Sequence, residues 1–450
     1  MRLDKDSFGI WSIIAKRAFK ATFKRPTTTE ASKAIYDTLA ERELALYVHI
    51  PFCSGTCMFC PYVRFLVSKY EREKLVQKYV DALLDEIKAY HQIAAKLNLK
   101  IVDIHAGGGS PSLVNGKLWK TILNYLTQTF NAEPKIAIEA NPEDLKDEAH
   151  VFDLIDSGVC EVSLGVQSFN SKTLKSLGRR HSPEDSLRAI RNLRSGGCEY
   201  INIDMMYLVP GQSLHEWTDD LEFASEQDVD EITCYPTLIT PYCIGYTHLK
   251  RDRLDQPNNR NFKSMVYACD DLLTSKGFKP IEIYGYSRKQ GWKYVTVNYE
   301  MEGPLLGLGC GAMGFTGGYE YQNTCSVPEY IQSSINGELP IAGARWISLT
   351  ERSIRYTTCR IFICRRLNKS EFKRKFGRDL NELVGSTGFG KMLRILKLLG
   401  YIKEDNNTLE LSRKGLFTAH RICWAFVLNV PCRLSEEYLK TPWPSKVTIP

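Results

Sequence analysis

The sequence predicts an α/β protein, a parallel sheet closed as a barrel or part-barrel, followed by a smaller winged-helix-like module. Three observations lead there. Six strand-like segments alternate with helical patterns between about residues 44 and 238. Polar and glycine-rich residues cluster after those strands, where parallel α/β proteins build their sites. From about residue 345 the texture changes to short helices and a hairpin.

The strand segments are LALYVHI (44–50), KIVDIHAG (100–107), KIAIEAN (135–141), CEVSLGVQS (160–168), YINIDMMYL (200–208) and DEITCYPTL (230–238). Several are nearly continuous runs of Val, Ile and Tyr, as strands buried on both faces should be. Between the first two, Leu75, Tyr79, Leu83 and Ile87 recur at four-residue spacing with Val76, Val80 and Leu84 on the adjacent stripe, which predicts a helix. Strand–helix alternation implies right-handed parallel crossovers. Residues 258–276 read as a further helix, FKPIEIYGYS and KYVTVNYEM as additional strands, and GPLLGLGCGAMGFTGG as a glycine-rich loop. Helical patterns follow at Ser370–Phe376, Leu380–Leu383 and Phe389–Leu399, and Gly400 stops the last. YIKEDNNTLELS then reads as a hairpin turning at Asn406-Asn407, which completes a winged-helix-like module at roughly 350–415. The chain thus divides into a basic amphipathic segment (1–43), a barrel core with its extension (44–345) and a C-terminal helical, winged-helix-like part (346–450).

The chain's 450 residues suffice for a large core. With 43% hydrophobic and 25% charged residues, a disordered or fibrous chain is excluded. No apolar run reaches the ~18 residues of a membrane span. The net charge of +7 is mild and does not demand nucleic acid. Fourteen scattered cysteines, many inside apolar runs, do not form a disulfide framework, and IWSIIA near the start makes a poor secretory signal, so a reducing cytosol is the expected compartment.

The strongest chemical signal is HIPFCSGTCMFCPY, which places Cys53, Cys57 and Cys60 within eight residues after a buried strand. Soft thiolates so crowded suit a metal or iron–sulfur cluster. Three are one too few for a closed four-cysteine site, and the missing ligand leaves the open position that catalysis needs. Structural zinc is the alternative; His49 is near, but it lies on the strand and points along a different face.

C-x3-C-x2-C after a first barrel strand resembles the radical S-adenosylmethionine (radical SAM) signature, and YVHIPFC resembles the branch of oxygen-independent coproporphyrinogen III oxidase. The likeness spans about residues 44–415, with HAGGGSPS, IEANPEDL, VSLGVQSFN, LGRRHS, NIDMMYLVPGQS and GLGCGAMG in the family's order. It implies a radical SAM partial (β/α)6 barrel in which Cys53, Cys57 and Cys60 hold three irons of a [4Fe–4S] cluster. The fourth iron binds S-adenosylmethionine, whose sulfonium is cleaved to a 5′-deoxyadenosyl radical after electron transfer from a donor such as a flavodoxin or ferredoxin. The resemblance also implies that Glu139, Gln167 and Asp204 contact S-adenosylmethionine, and that Arg179 pairs with its carboxylate. Tyr47 and Phe59 match positions flanking the sulfonium and adenine, with plain core packing as the alternative. Gly107, Gly108 and Gly109 lack side chains, so their backbone can approach a ligand closely, against a plain tight turn. For Arg180 a solvated charge is the better reading.

The chain departs from its relatives at Cys60-Pro61-Tyr62, where the oxidases continue with a Cys-Gly-Cys-like phrase and the heme chaperones with Asp-Phe-Asn-Ser; Leu208 also replaces the usual glycine. These departures put first a class C radical SAM methyltransferase, which uses two S-adenosylmethionine molecules to methylate an sp2 carbon of an aromatic substrate. The alternatives are oxidative decarboxylation of coproporphyrinogen III and heme delivery, for which His181 and His420 are the candidate ligands. Phe8, Trp11, Ala15, Ala18, Phe19, Thr22 and Phe23 share one helical face opposite Lys16, Arg17, Lys20 and Lys24. That pattern suits peripheral membrane contact and a lipid quinone such as menaquinone, methylated at C8; a helix docked on the barrel is the equal alternative. The basic run from Arg365 to Arg378 reads as a solvated face, because no base-reading pattern accompanies it. Tyr242, Tyr246 and the GLGCGAMG loop are candidate pocket residues, and Cys310 within the loop reads as buried packing.

Overall fold

Short, β-branched segments at both ends of the chain and long apolar strands in its middle join one sheet. The computed structural model describes residues 21–39, 43–60, 62–68, 71–97, 99–237, 239, 243–246, 259–289, 303–429 and 445–449, with side chains up to residue 425 in the last helix. The strands are β1 (Ala21–Lys24), β2 (Glu43–Ile50), β3 (Phe52–Cys53), β4 (Phe65–Leu66), β5 (Lys100–Gly108), β6 (Ile136–Ala140), β7 (Val159–Gln167), β8 (Tyr200–Tyr207) and β9 (Glu231–Pro236). After them come β10 (Lys279–Pro280), β11 (Gly285–Ser287), β12 (Leu305–Leu308), β13 (Met313–Phe315), β14 (Tyr319–Asn323) and β15 (Ile341–Trp346). The last are β16 (Arg366–Asn368), β17 (Ile402–Glu404), β18 (Thr408–Leu411) and β19 (Lys446–Ile449).

Strands β2 and β5 to β9 pair in parallel and in sequence order, as the alternation predicts. Their inward faces and the helices that cover them make one continuous core. Helix Arg72–Ala89 buries Val76, Tyr79, Val80, Leu83 and Ile87 against it. Helices Pro183–Gly196 and Leu214–Ser225 start at capping boxes, Ser182 with Asp185 and Ser213 with Glu216, which fix where each crossover turns back.

The sheet does not close. Strand β12 adds in parallel on the far side of β2, and antiparallel β13, β14, β15, β1 and β19 continue outward. The glycine-rich segment read as a loop is therefore half strand: Gly307 sits in β12, where a Cβ would lie 2.1 Å from the Met313 carbonyl oxygen. KYVTVNYEM lies outside the described residues.

The N-terminal helical face needs correction at its end. Thr22 and Phe23 belong to β1, whose residues alternate between buried and exposed, as a strand's do and a helix's do not. β1 pairs with β19, Ala21 opposite Ile449, and Phe23 lies beneath the Arg345 guanidinium. The rest of that face, up to Phe19, lies outside the described residues. Helix Thr28–Thr38 follows, capped by Thr27 and Glu30 and packed into the main core through Ile35.

Beyond β15 the chain builds the expected winged-helix-like module. Helices Leu349–Thr358, Lys369–Phe376, Leu380–Val384 and Gly388–Leu398 surround the small sheet β16–β18–β17. Its hairpin turns where predicted, because the Asp405 carboxylate accepts the backbone N–H groups of Asn407 and Thr408. Helix Arg413–Asn429 then packs Phe417 on Phe262 of the barrel-side helix Asn259–Ser275, and β19 brings the tail back to the large sheet.

Candidate active site

The cysteine loop leaves β2 and is held at its base by backbone. Strands β3 and β4 pair across it, and Gly109 N–H and Ser110 N–H donate to the carbonyls of Ile50 and Phe52. At its tip, Met58 N–H donates to the Leu177 carbonyl and Gly245 N–H to the Met58 carbonyl, while the Cys243 thiol donates to the Phe59 carbonyl at 2.9 Å. Phe59, between two of the cysteines, packs on Leu177, Met206 and Val209 at the end of β8. Cys53, Cys57 and Cys60 are all half-buried. Burial, reinforced by the neighbouring thiols, pushes Cys53 up to about 12; burial pushes Cys60 up to about 11, against the pull of Arg64. Without a cation these sulfurs stay protonated, so binding iron displaces protons.

The glycine triplet is no turn. Gly107 and Gly108 end β5, and each of the three glycines meets a neighbour of its own. A Cβ on Gly107 would lie 2.6 Å from the Glu139 carboxylate, on Gly108 (φ +109°) 2.4 Å from the His49 ring, and on Gly109 2.5 Å from the Phe52 carbonyl oxygen. The triplet is what lets β5 lie against both the cysteine loop and Glu139.

Around this floor the strand ends supply polar groups. Tyr47 on β2 stacks on the buried His105 ring, 6.2 Å between centroids, and His105 Nε2 lies 3.6 Å from Glu139 Oε1. Glu139 also accepts Gly108 N–H. Asp204 on β8 is bonded by Asn202 and Ser163. Burial and the Glu139 charge raise its carboxyl to about 7. Among the described residues no lysine or arginine pairs with either acid, so both stand open to a cationic ligand, which would favour the ionised form of Asp204. Gln167 ends β7 at φ +67°, and Leu208, the departure noted after β8, sits at φ +60°. Glycine adopts that backbone freely and leucine does not, which explains why relatives carry glycine there.

Arg179 ties the cysteine loop to these strands. Its guanidinium donates to Cys57 Sγ at 3.2 Å, Asn141 Oδ1 at 2.7 Å and the Gly165 carbonyl at 2.9 Å. Its Nε is buried without a hydrogen-bond partner. Exposed Arg180 lies over Gly55 in the loop, a solvated charge as expected.

Residues 47–224 match the radical SAM superfamily model. The heme chaperone HemW of Buchnera aphidicola (Acyrthosiphon pisum) is 32% identical over 273 residues, 60% of this chain and 70% of that protein. The chain belongs to the radical SAM superfamily, in its HemN/HemW branch. Bacillus subtilis HemW is 24% identical over 384 residues, covering 85% of this chain and 98% of that one. The crystal structure of Escherichia coli coproporphyrinogen III oxidase (HemN), a radical SAM enzyme, shares the fold at TM-score 0.74 and 22% identity, over 90% of this chain and 94% of that one.

Radical SAM proteins carry a [4Fe–4S] cluster and S-adenosylmethionine, and the residues fit both. No three His, Cys, Asp or Glu side chains among the described residues converge as ligands of a single ion. A cluster requires no such convergence, since each thiolate binds a different iron; a zinc knuckle does. The carboxyls of Glu139 and Asp204, free of any basic partner among the described residues, suit the cofactor's ammonium and ribose hydroxyls, and the orphaned Arg179 Nε suits an anion.

The sequence reading missed Asn141, Glu143 and His181 as supports of this site. Glu143 lies 3.8 Å from Arg179 and 3.4 Å from His181, whose other nitrogen reaches the Val166 carbonyl at 3.0 Å. All three stand within quoted motifs, yet nothing in the spacing shows that they face one another. His181 and His420 are both buried inside the fold, His420 against Tyr207 and Tyr284. Cys310 is buried as expected, its N–H donating to the Tyr79 hydroxyl.

Asp204 separates stability from binding. Its raised carboxyl means that the native state holds an extra proton between pH 3.8 and about 7, so the protein without cofactor loses stability as pH rises through that window. Asp204→Asn should therefore stabilise it by on the order of 2 kcal/mol at pH 8 and by little at pH 4. The same change should weaken S-adenosylmethionine binding roughly ten- to a hundredfold with the cluster absorption intact. Urea unfolding at the two pH values and equilibrium binding check both, and unchanged affinity would place the cofactor elsewhere.

Proposed function

We propose that this protein is a radical SAM enzyme whose substrate is a tetrapyrrole. The observation that carries this reading is the extent of the likeness. HemW of B. subtilis aligns over nearly its whole length, and the HemN fold match runs through the C-terminal module as well as the barrel. A shared cofactor site alone would account for the barrel; the module beyond β15 is what such a substrate-side resemblance adds. Methyl transfer to menaquinone draws no support from these relatives, which are named for heme and coproporphyrinogen.

Bound together, the cluster and S-adenosylmethionine supply one-electron cleavage of the sulfonium bond, with a flavodoxin- or ferredoxin-type donor as the proposed reductant. The chain's own residues do the rest. Cys53, Cys57 and Cys60 hold the cluster on a loop that Arg179 fixes to β6 and β7 through Asn141 and Gly165. Glu139 and Asp204 orient the cofactor's cationic end, and Phe59 with Met206 and Val209 offers an apolar wall.

A second reading, methyl transfer to an sp2 carbon, is favoured by Cys60-Pro61-Tyr62, which matches neither the oxidase nor the chaperone phrase. A tetrapyrrole has such carbons, so one assay separates the cases. Reconstituted protein is incubated anaerobically with dithionite, methyl-labelled S-adenosylmethionine and either heme or coproporphyrinogen III. Carbon dioxide without transferred label indicates decarboxylation; label in the tetrapyrrole with S-adenosylhomocysteine indicates methyl transfer; tight heme binding without turnover indicates delivery. A protein that neither binds nor turns over either tetrapyrrole would sink the proposal, and heme binding without turnover would keep the ligand class but overturn the enzyme.

A further inference from the structure

Helix Gly388–Leu398 in the winged-helix-like module turns Phe389, Met392, Leu393 and Leu396 inward, which should leave a polar outer face. It does not. Ile395 is 56% exposed, Leu398 88% and the following Leu399 48%, three aliphatic side chains together at one helix end. Exposed Lys391 and Arg394 precede them on the same face, and exposed Lys403 follows on β17. Between Arg366 and Lys414 basic residues outnumber acidic ones two to one, so this module carries most of the chain's net positive charge. Of the carboxylates near it, Glu404 is already neutralised by Lys369 and Lys397 at 2.7 and 2.6 Å, and Glu410 stands opposite Lys403 on β18.

We propose that this helix end is a membrane-docking surface, in which Ile395, Leu398 and Leu399 insert at the interface of an anionic lipid bilayer while Lys391, Arg394 and Lys403 meet its headgroups. Three considerations select lipid as the occupant. Three aliphatic side chains cover on the order of 300 Å², well below the ~800 Å² per partner of a stable protein interface, whereas a bilayer takes up a few inserted side chains beside basic ones. Duplex DNA is read at base edges by hydrogen-bonding side chains; Lys391 and Arg394 could contact it, but Ile395, Leu398 and Leu399, which form the exposed end of this helix, offer it no hydrogen bond. Among the described residues no helix is long and apolar enough to cross a membrane, so contact here is peripheral.

The test is co-sedimentation of the full chain with phosphatidylcholine vesicles, with and without phosphatidylglycerol. The wild type should bind the phosphatidylglycerol vesicles and release them partly at high salt. Leu398→Glu/Leu399→Glu should weaken binding about tenfold or more, and Lys391→Glu/Arg394→Glu should weaken it on the anionic vesicles alone. All these side chains are exposed, so both variants should keep the wild-type melting temperature and dithionite-driven S-adenosylmethionine cleavage. Deleting residues 1–20 should leave the loss on Leu398→Glu/Leu399→Glu unchanged. Absence of vesicle binding by the wild type, or equal binding by the leucine variant, would overturn the proposal. So would a wild-type dimer that the leucine variant dissociates, or duplex DNA binding that the same variant abolishes.

Discussion

Replacing Cys53, Cys57 or Cys60 with alanine is expected to abolish 5′-deoxyadenosine formation, each change alone. The three thiols stand on one short loop between β2 and β5, and the sheet around them offers no substitute. Among the described residues, the next cysteine toward this loop is Cys243, whose sulfur is committed to the Phe59 carbonyl on the loop's outer turn. A cluster held by two thiolates has lost one iron's only protein ligand, and the loss is total rather than graded. Anaerobic reconstitution followed by iron and sulfide analysis reads the result directly. Cys310→Ala is the control, since that thiol lies under the β12 turn, bonded through its backbone to Tyr79, and its loss should leave the iron content at the wild-type value. Cleavage retained in all three loop variants would overturn the ligand assignment, and zinc in place of iron would overturn the enzyme.

The ligands were legible in the sequence because a metal-binding loop is local: spacing, residue type and the preceding strand all lie between Glu43 and Cys60. The six parallel strands were legible for a similar reason, since burial on both faces leaves a near-continuous apolar run that few other structures produce. What supports them was not. β1 has four residues, and its partner strand is at the other end of the chain, Thr22 opposite Thr448. Over so short a stretch, Ala-Thr-Phe-Lys fits the end of a helical stripe as well as a strand. Glu86 was overlooked for the opposite reason. It lies on the same buried stripe as Leu83 and Ile87, and its carboxylate is satisfied by Gly309 N–H, Asn323 and Tyr330 from more than two hundred residues away. Burial still raises it to about 7, against those three hydrogen bonds. The binary pattern shows which face of that helix is buried, and the partners of the one polar residue on that face come only from the tertiary fold. The same holds for Arg179, which the family resemblance placed on a ligand and which the fold also uses as a tie between loop and strands.

Arg179→Ala should therefore damage the protein before any cofactor is added. The side chain is 6% exposed and spans Cys57, Asn141 and the Gly165 carbonyl, so its removal leaves three acceptors short of a donor and the Glu143 carboxylate short of a charge partner. Breaking a buried ion pair from one side costs about 3–5 kcal/mol. The pH dependence identifies the cause. Burial alone would raise Glu143, but the His181 ring at 3.4 Å and the Arg179 charge overcome it and hold the carboxyl down at about 2. A depressed acid stabilises the fold above its unfolded value of 4.5, and that contribution is lost as pH falls from 4.5 toward 2. The gap between wild type and Arg179→Ala should thus be full at pH 7 and narrow markedly by pH 3, in urea unfolding of the cofactor-free protein. Arg179→Lys keeps the charge but cannot reach three acceptors, so it should recover the Glu143 contribution while leaving the cysteine loop loose, with normal acid sensitivity and poor iron retention. Curves that stay parallel from pH 7 to 3 would show that Arg179 acts through packing alone, and wild-type iron retention in the lysine variant would remove its role in holding Cys57.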